Sequence, residues 1–180
     1  MALHPSRQEE LRQLLGFRDL IGADPKIAFR IEIAREAHDY SQLLVKFIGL
    51  TTLVVNGSSY RKTTEPITAH FSIPPGHAAT TRVTISFRQP VPFHPHVFPS
   101  GSICWGSVSN EDAGSWTLVM WTIALLEYVQ FNQQTFIGIN PNSPANRDAN
   151  DWWKSHRTSI SRNVPPVDLA RVRQLSYQVR

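Results

Sequence analysis

The residues able to do chemistry lie in one stretch, His94-Pro95-His96-Val97-Phe98-Pro99-Ser100-Gly101-Ser102-Ile103-Cys104, which holds the chain's single cysteine. A thiol that ionises is a nucleophile and can carry an acyl group as a thioester. Two imidazoles beside it offer N–H donors, a proton acceptor or metal ligands. Three chemistries are open on these residues: acyl carriage on Cys104, hydrolysis by a Cys–His pair, and a metal site built from His94, His96 and Cys104. Hydrolysis needs a base held beside the thiol, and closeness in sequence does not supply that geometry. A zinc site normally takes a fourth ligand on a suitable loop, and nothing nearby announces one. By default a lone cysteine is an inert buried side chain, so its surroundings must carry the case.

Those surroundings are irregular. After Phe87 about thirty residues show no period and include Pro90, Pro92, Pro95, Pro99, Gly101, Gly106 and Gly114, a length of loop that in compact domains is often functional. Pro99, Ser100 and Gly101 keep the approach to Cys104 open, and Gly101 and Gly106 would let an extended peptide tail come close. Before the loop, apolar residues alternate in Ile27–Ile33, Leu43–Phe47, Ile67–Ile73 and Val83–Phe87, and Leu53-Val54-Val55 runs into the tight-turn pair Asn56-Gly57. Period two with turn-like connections predicts an antiparallel meander. Ser6-Arg7-Gln8-Glu9 reads as a capping box opening an amphipathic helix that ends near Gly22. Helical patterning returns from Thr117 to about Phe131, with Leu118, Trp121, Leu125, Tyr128 and Val129 as a buried stripe. Ser143 and Pro144 have the types of an N-cap and first helical residue, ahead of Ala145, Ala149, Trp152 and Trp153; a short helix over Val167–Gln174 closes the chain. The expected class is α+β, with helices segregated from one sheet.

With 180 residues and 41% hydrophobic content, one domain over residues 1–180 with one core is expected. There is no apolar run of spanning length and no signal-peptide pattern at Met1–Ser6, so a soluble cytoplasmic protein is expected. One cysteine permits no intrachain disulfide. The formal charge of +4 suits acidic partners, but the cations are dispersed apart from Arg171, Arg173 and Arg180, which argues against a nucleic-acid stripe. Neither a cofactor nor a metal is expected.

In this setting the chain resembles the ubiquitin-conjugating enzyme family. That family carries a His-Pro-Asn motif with its cysteine eight residues after the Asn, in a Gly-x-Ile-Cys context; His94-Pro95-His96 through Gly101-Ser102-Ile103-Cys104 keeps the spacing. Trp116 stands where the family has a Trp before its post-cysteine helix, and Asn140-Pro141-Asn142-Ser143-Pro144-Ala145-Asn146 is similar to its Pro-rich loop and Ser-Pro-Ala-Asn helix start. Residues 93–153 carry the specific motifs and residues 1–160 a looser likeness, leaving 160–180 as a C-terminal extension suited to packing or partner docking. There are departures: His96 replaces the Asn, and His77-Ala78-Ala79-Thr80-Thr81-Arg82 stands where the family has Tyr-Pro-x-x-Pro-Pro, which bears on activating-enzyme and ligase contacts. Such divergence is similar to bacterial, operon-encoded members, some of them antiviral.

The resemblance implies a ubiquitin-conjugating-type fold: N-terminal helix, four-stranded meander, active-site loop, C-terminal helices. It implies an enzyme that takes a ubiquitin-like modifier from an activating enzyme onto Cys104 and passes it to an amine of a target protein, with or without a ligase. His96 would take the oxyanion-stabilising place of the Asn, His94 would donate a hydrogen bond that braces the loop, and Ser143 would stand where the family assists the incoming lysine. Trp105 and Trp116 would frame the site by packing. The alternative on the same fold is a non-catalytic module that only binds a modifier; such variants typically lack the cysteine that is present here.

Overall fold

Residues whose side chains alternate between apolar and polar pair into one antiparallel sheet in the computed structural model, which describes residues 3–76, 81–105, 114–131 and 144–179. Its strands are β1 (Arg30–Arg35), β2 (Gln42–Ile48), β5 (Ile67–Ser72) and β6 (Thr84–Phe87), in the order β1-β2-β5-β6. The register sets Ile31 opposite Phe47, Val45 opposite Ala69 and Phe71 opposite Ile85. One pleat face therefore collects the apolar side chains, and Leu43, Val45, Phe47, Ile67, Ala69 and Phe71 are fully buried.

The expected four-stranded meander is present, with one addition. Between β2 and β5 the chain leaves the sheet to form a separate hairpin of β3 (Thr52–Asn56) and β4 (Ser59–Thr63), turning at Asn56-Gly57 with Gly57 at φ 62°. β4 is polar apart from Tyr60, which packs against Phe93 and Trp152, so its sequence carries little strand signal. It forms because β3 gives it a hydrogen-bonding edge.

Helix α1 (Pro5–Ala23) buries Leu14, Phe17 and Ile21 in the same core as the sheet. It ends as expected, but it does not use the Ser6–Glu9 capping box. His4 is the cap and its Nδ1 accepts the Ser6 N–H, while Pro5, lacking an N–H, fits the first turn. Helix α2 (Leu118–Val129), capped by the Thr117 hydroxyl, is buried on nearly every side, as expected of a helix apolar all round. Helix α3 (Arg147–His156) follows, then a short α4 (Ile160–Asn163), then α5 (Leu169–Ser176) running into a 3-10 turn at Tyr177–Val179. α3 and α4 pack Ala149, Trp153, Ile160 and Val164 against Leu53, Phe93 and Phe131 in a second, smaller core. Among the described residues no helix is long and apolar enough to cross a membrane.

The described residues beyond 160 are anchored to the domain at a few points. Val172 and Leu175 of α5 join the main core. Its cations are occupied: Arg171 Nε donates to Asp24 at 2.7 Å, and Arg173 donates to the fully buried Glu127 carboxylate of α2. Removing one partner of a buried pair costs more than the pair contributes, because the other charge is left without compensation. Arg173→Met should therefore lower the unfolding free energy in urea by about 2 kcal/mol, discounted for the partly exposed guanidinium. Adding Glu127→Leu should restore part of that loss.

Candidate active site

The stretch expected to be open loop is a narrow hairpin. Val97 bridges Ile103, the Phe98 N–H donates to the Ser102 carbonyl at 2.9 Å, and the Cys104 N–H donates to the His96 carbonyl at 2.8 Å. The turn Phe98-Pro99-Ser100-Gly101 closes with a Gly101 N–H to Phe98 carbonyl bond of 2.8 Å; Pro second and Gly fourth is the composition such turns favour. His96 and Cys104, eight residues apart in sequence, are thereby set across from each other. Pro99 and Ser100 are exposed at the tip, and Cys104 is partly exposed.

Gly101 does a different job from the one expected of it. It is buried, sits at φ 93°, and donates nothing to the approach; its carbonyl accepts the Phe87 N–H of β6 at 2.8 Å. A Cβ there would lie 2.0 Å from the Phe87 carbonyl oxygen. The glycine is what lets the hairpin dock on the sheet edge, where Ser86 also bridges Ser102.

The other end of the stretch is held by the inserted hairpin. Val55 N–H donates to Val91 at 2.8 Å, Phe93 N–H donates to Leu53 at 2.9 Å, and Val54 bridges Pro92. The Thr52 hydroxyl in turn donates to the Val129 carbonyl at the end of α2. The start of α3 reaches the site as well: the Ala145 and Asn146 N–H groups both donate to the Pro95 carbonyl, at 2.8 and 3.0 Å. Thus the Pro-Ala-Asn stretch and the His-Pro-His stretch, 50 residues apart in sequence, touch. The cap of α3 is Asn146, whose side chain accepts the Ala149 N–H at 3.0 Å, and not Ser143. Ser143 itself lies outside the described residues, as does Gly106.

His94 is fully buried. Its Nδ1 accepts the His96 backbone N–H at 3.1 Å, so the bracing bond runs opposite to the expected direction and the proton sits on Nε2. Nε2 has no hydrogen-bond partner among the described residues. The ring packs between Tyr128 and Phe131, with centroids 4.6 and 5.2 Å away. Burial, then the neighbouring His96, hold the His94 pKa well below its ordinary 6.5. His96 is also buried, and burial lowers its pKa. Both imidazoles are therefore neutral at pH 7, and His96 presents an uncharged ring rather than an imidazolium.

Trp105 and Trp116 are packing residues that frame the site, both set against Trp121 with centroids 4.7 and 4.6 Å apart. Among the described residues no group of three or more His, Cys, Asp or Glu side chains is arranged to hold a metal ion. Two contributors were not read from sequence as parts of the site: the Pro95 carbonyl, which no side-chain pattern reveals, and Tyr128, which the helical stripe marked only as core.

Two outcomes follow from this geometry. Gly101→Ala should destabilise the protein by more than about 2 kcal/mol in thermal or urea unfolding, from backbone strain and the collision with Phe87. Because the folded-state pKa of both imidazoles lies below the unfolded value near 6.5, the unfolded chain takes up protons first as pH falls. Stability should be complete above about pH 6.5 and decline below it, by up to about 1.4 kcal/mol per pH unit for each ring. In urea titrations between pH 7.5 and 5.5, His94→Gln should show a shallower decline than the unsubstituted protein.

No protein-family model matches the chain. Its structure is similar to those of solved ubiquitin-conjugating enzymes. One from Plasmodium vivax is 19% identical, over 68% of this chain and 97% of its own, with a TM-score of 0.47. One from Plasmodium falciparum is 19% identical, over 68% and 94%, with a TM-score of 0.46. A third, described as a novel ubiquitin-conjugating enzyme, is 16% identical over 91% and 92%, with a TM-score of 0.49.

Proposed function

We propose that this protein is a ubiquitin-conjugating-type acyl transferase. It accepts a ubiquitin-like modifier from an activating enzyme as a thioester on Cys104 and transfers it to an amine of a target protein. The observation that carries this reading is the Cys104 N–H to His96 carbonyl bond, which holds a partly exposed thiol across from a buried, neutral imidazole.

In the first step the Cys104 thiolate attacks the thioester carbonyl presented by the activating enzyme. A new C–S bond forms, the old one breaks, and the activating enzyme's thiolate leaves with the electron pair. One thioester replaces another, so the exchange is nearly balanced in energy. In the second step the target amine, having lost its proton to solvent or a nearby base, attacks the carbonyl carbon. A C–N bond forms, the C–S bond breaks, Cys104 departs as thiolate, and the new nitrogen gives its remaining extra proton to solvent, leaving a neutral amide.

Negative charge gathers on the carbonyl oxygen between these events. His96 acts there as a neutral N–H donor, so its contribution does not depend on protonation at pH 7. Ser143, which precedes Pro144 in sequence, is the hydroxyl proposed to assist the incoming amine. The changed motif and the His77–Arg82 segment fit the bacterial, operon-encoded type of conjugation system, of which some are antiviral; the activating enzyme and modifier would then be encoded alongside.

The test combines this protein with such an activating enzyme, its modifier and ATP, compared on non-reducing and reducing gels. A reductant-sensitive adduct is expected, and Cys104→Ser should give at most a reductant-resistant ester. Absence of an adduct, with the activating enzyme demonstrably charged, would favour a module that binds the modifier without carrying it. His96→Ala should slow discharge to lysine by about 100-fold, the effect of losing one preorganised oxyanion donor.

A further inference from the structure

Tyr128, in the last turn of α2, touches both strands of the active-site hairpin. Its ring lies 4.6 Å from His94 and 6.3 Å from His96 on the first strand, the latter nearly parallel at 20°. It lies 5.6 Å from Trp105 on the second strand, at 24°. Its hydroxyl points at the carbonyl of Cys104, 3.5 Å away. That carbonyl is the first one beyond the hairpin's last rung, the Cys104 N–H to His96 bond. The ladder fixes the amide side of Cys104, and Tyr128 addresses its carbonyl side.

We propose that Tyr128 is a positioning residue: its hydroxyl fixes the peptide plane following Cys104, and its ring fixes the spacing of that plane from His94 and His96. The inference rests on the carrier reading of Cys104.

Aminolysis needs the thioester carbonyl aimed at its donor, and the direction of the Cys104 Cα–Cβ bond follows from the two peptide planes beside it. At 3.5 Å the hydroxyl contact is longer than a fully formed O–H···O bond, a separation that catalytic contacts often show before substrate is bound and then shorten. Burial, then the nearby Cys104 and Glu127, push the tyrosine's own ionisation upward, so the hydroxyl keeps its proton and stays a donor throughout the working pH range. Tyr128 is almost wholly buried, which leaves it few other orientations. A residue that only filled the core would need the ring and not the hydroxyl.

Tyr128→Phe separates these roles, since it keeps the ring and the packing. The unsubstituted thioester is formed first; if none appears, the carrier reading fails before Tyr128 is tested. Thioesters of both proteins are then discharged to free lysine over a range of concentrations. The maximal rate should fall about five-fold for Tyr128→Phe, as for loss of one hydrogen bond of ordinary net strength. The lysine concentration giving half that rate should stay unchanged, whereas a loss of folded protein would lower charging and discharge together.

The single cysteine supplies a second readout, because carbon-13 label on the cysteine carbonyl gives one resonance. That resonance should move in Tyr128→Phe before any modifier is added. Equal discharge rates, or a carbonyl resonance that does not move, would overturn the proposal.

Discussion

One backbone hydrogen bond, from the Cys104 amide to the His96 carbonyl, sets the separation on which the proposed chemistry depends. Neither residue has a side chain that would find the other unaided, since eight residues of free loop would let them wander by many ångströms. The hairpin removes that freedom, and it does so with main-chain groups, whose geometry is less adjustable than that of side chains. Each neighbouring element then acts on the hairpin at one defined point. β6 takes its turn through Gly101, β3 takes its lead-in through Val91 and Phe93, α3 takes the Pro95 carbonyl, and the end of α2 lies beneath it through Tyr128.

This arrangement gives the inserted β3–β4 hairpin a purpose that its distance from the main sheet would not suggest. Leu53 sits in the smaller core with Phe93 and Trp153, while Val54 belongs to the larger one. β3 is therefore where the two cores meet, and the strand leading to His94 is laid along it. Packing on both sides makes that strand costly to displace.

The sequence made some of this legible and hid the rest for identifiable reasons. Strict alternation in Leu43–Phe47 and Ile67–Ile73 exposes period two and hence the sheet, and Asn56-Gly57 marks the turn of the separate β3–β4 hairpin. β4 stayed hidden because Ser59-Tyr60-Arg61-Lys62 has one aromatic among polar residues and so shows no alternation, its strand coming from the pairing with β3. Capping positions were displaced because several residues compete for each helix start: His4 supersedes Ser6, and Asn146 supersedes Ser143 as the cap of α3. For the site, spacing brought out Cys104, His94 and His96, since those types carry chemistry. It could not show the Pro95 carbonyl, which every residue possesses, nor that the hydroxyl of Tyr128 faces Cys104, because a helical stripe reports which side is buried and not what the buried tip touches.

Burial of the two histidines decides what kind of site this is. An imidazolium would attract the oxyanion more strongly, yet it would require desolvating a charge, and burial is the leading cause that holds the pKa of both rings down. The proposed site instead offers a neutral imidazole N–H, held in place by a hairpin whose own amides are bonded to its carbonyls. Such a donor needs no reorganisation when charge appears, and a low-dielectric surround strengthens it at that moment. The same surround disfavours a charged amine, so in the proposed transfer a lysine approaching Cys104 would be pressed to shed its proton. On the proposed reading, neutral histidines and apolar surroundings would therefore serve both halves of the transfer, the arrival of an uncharged nucleophile and the brief negative charge that follows.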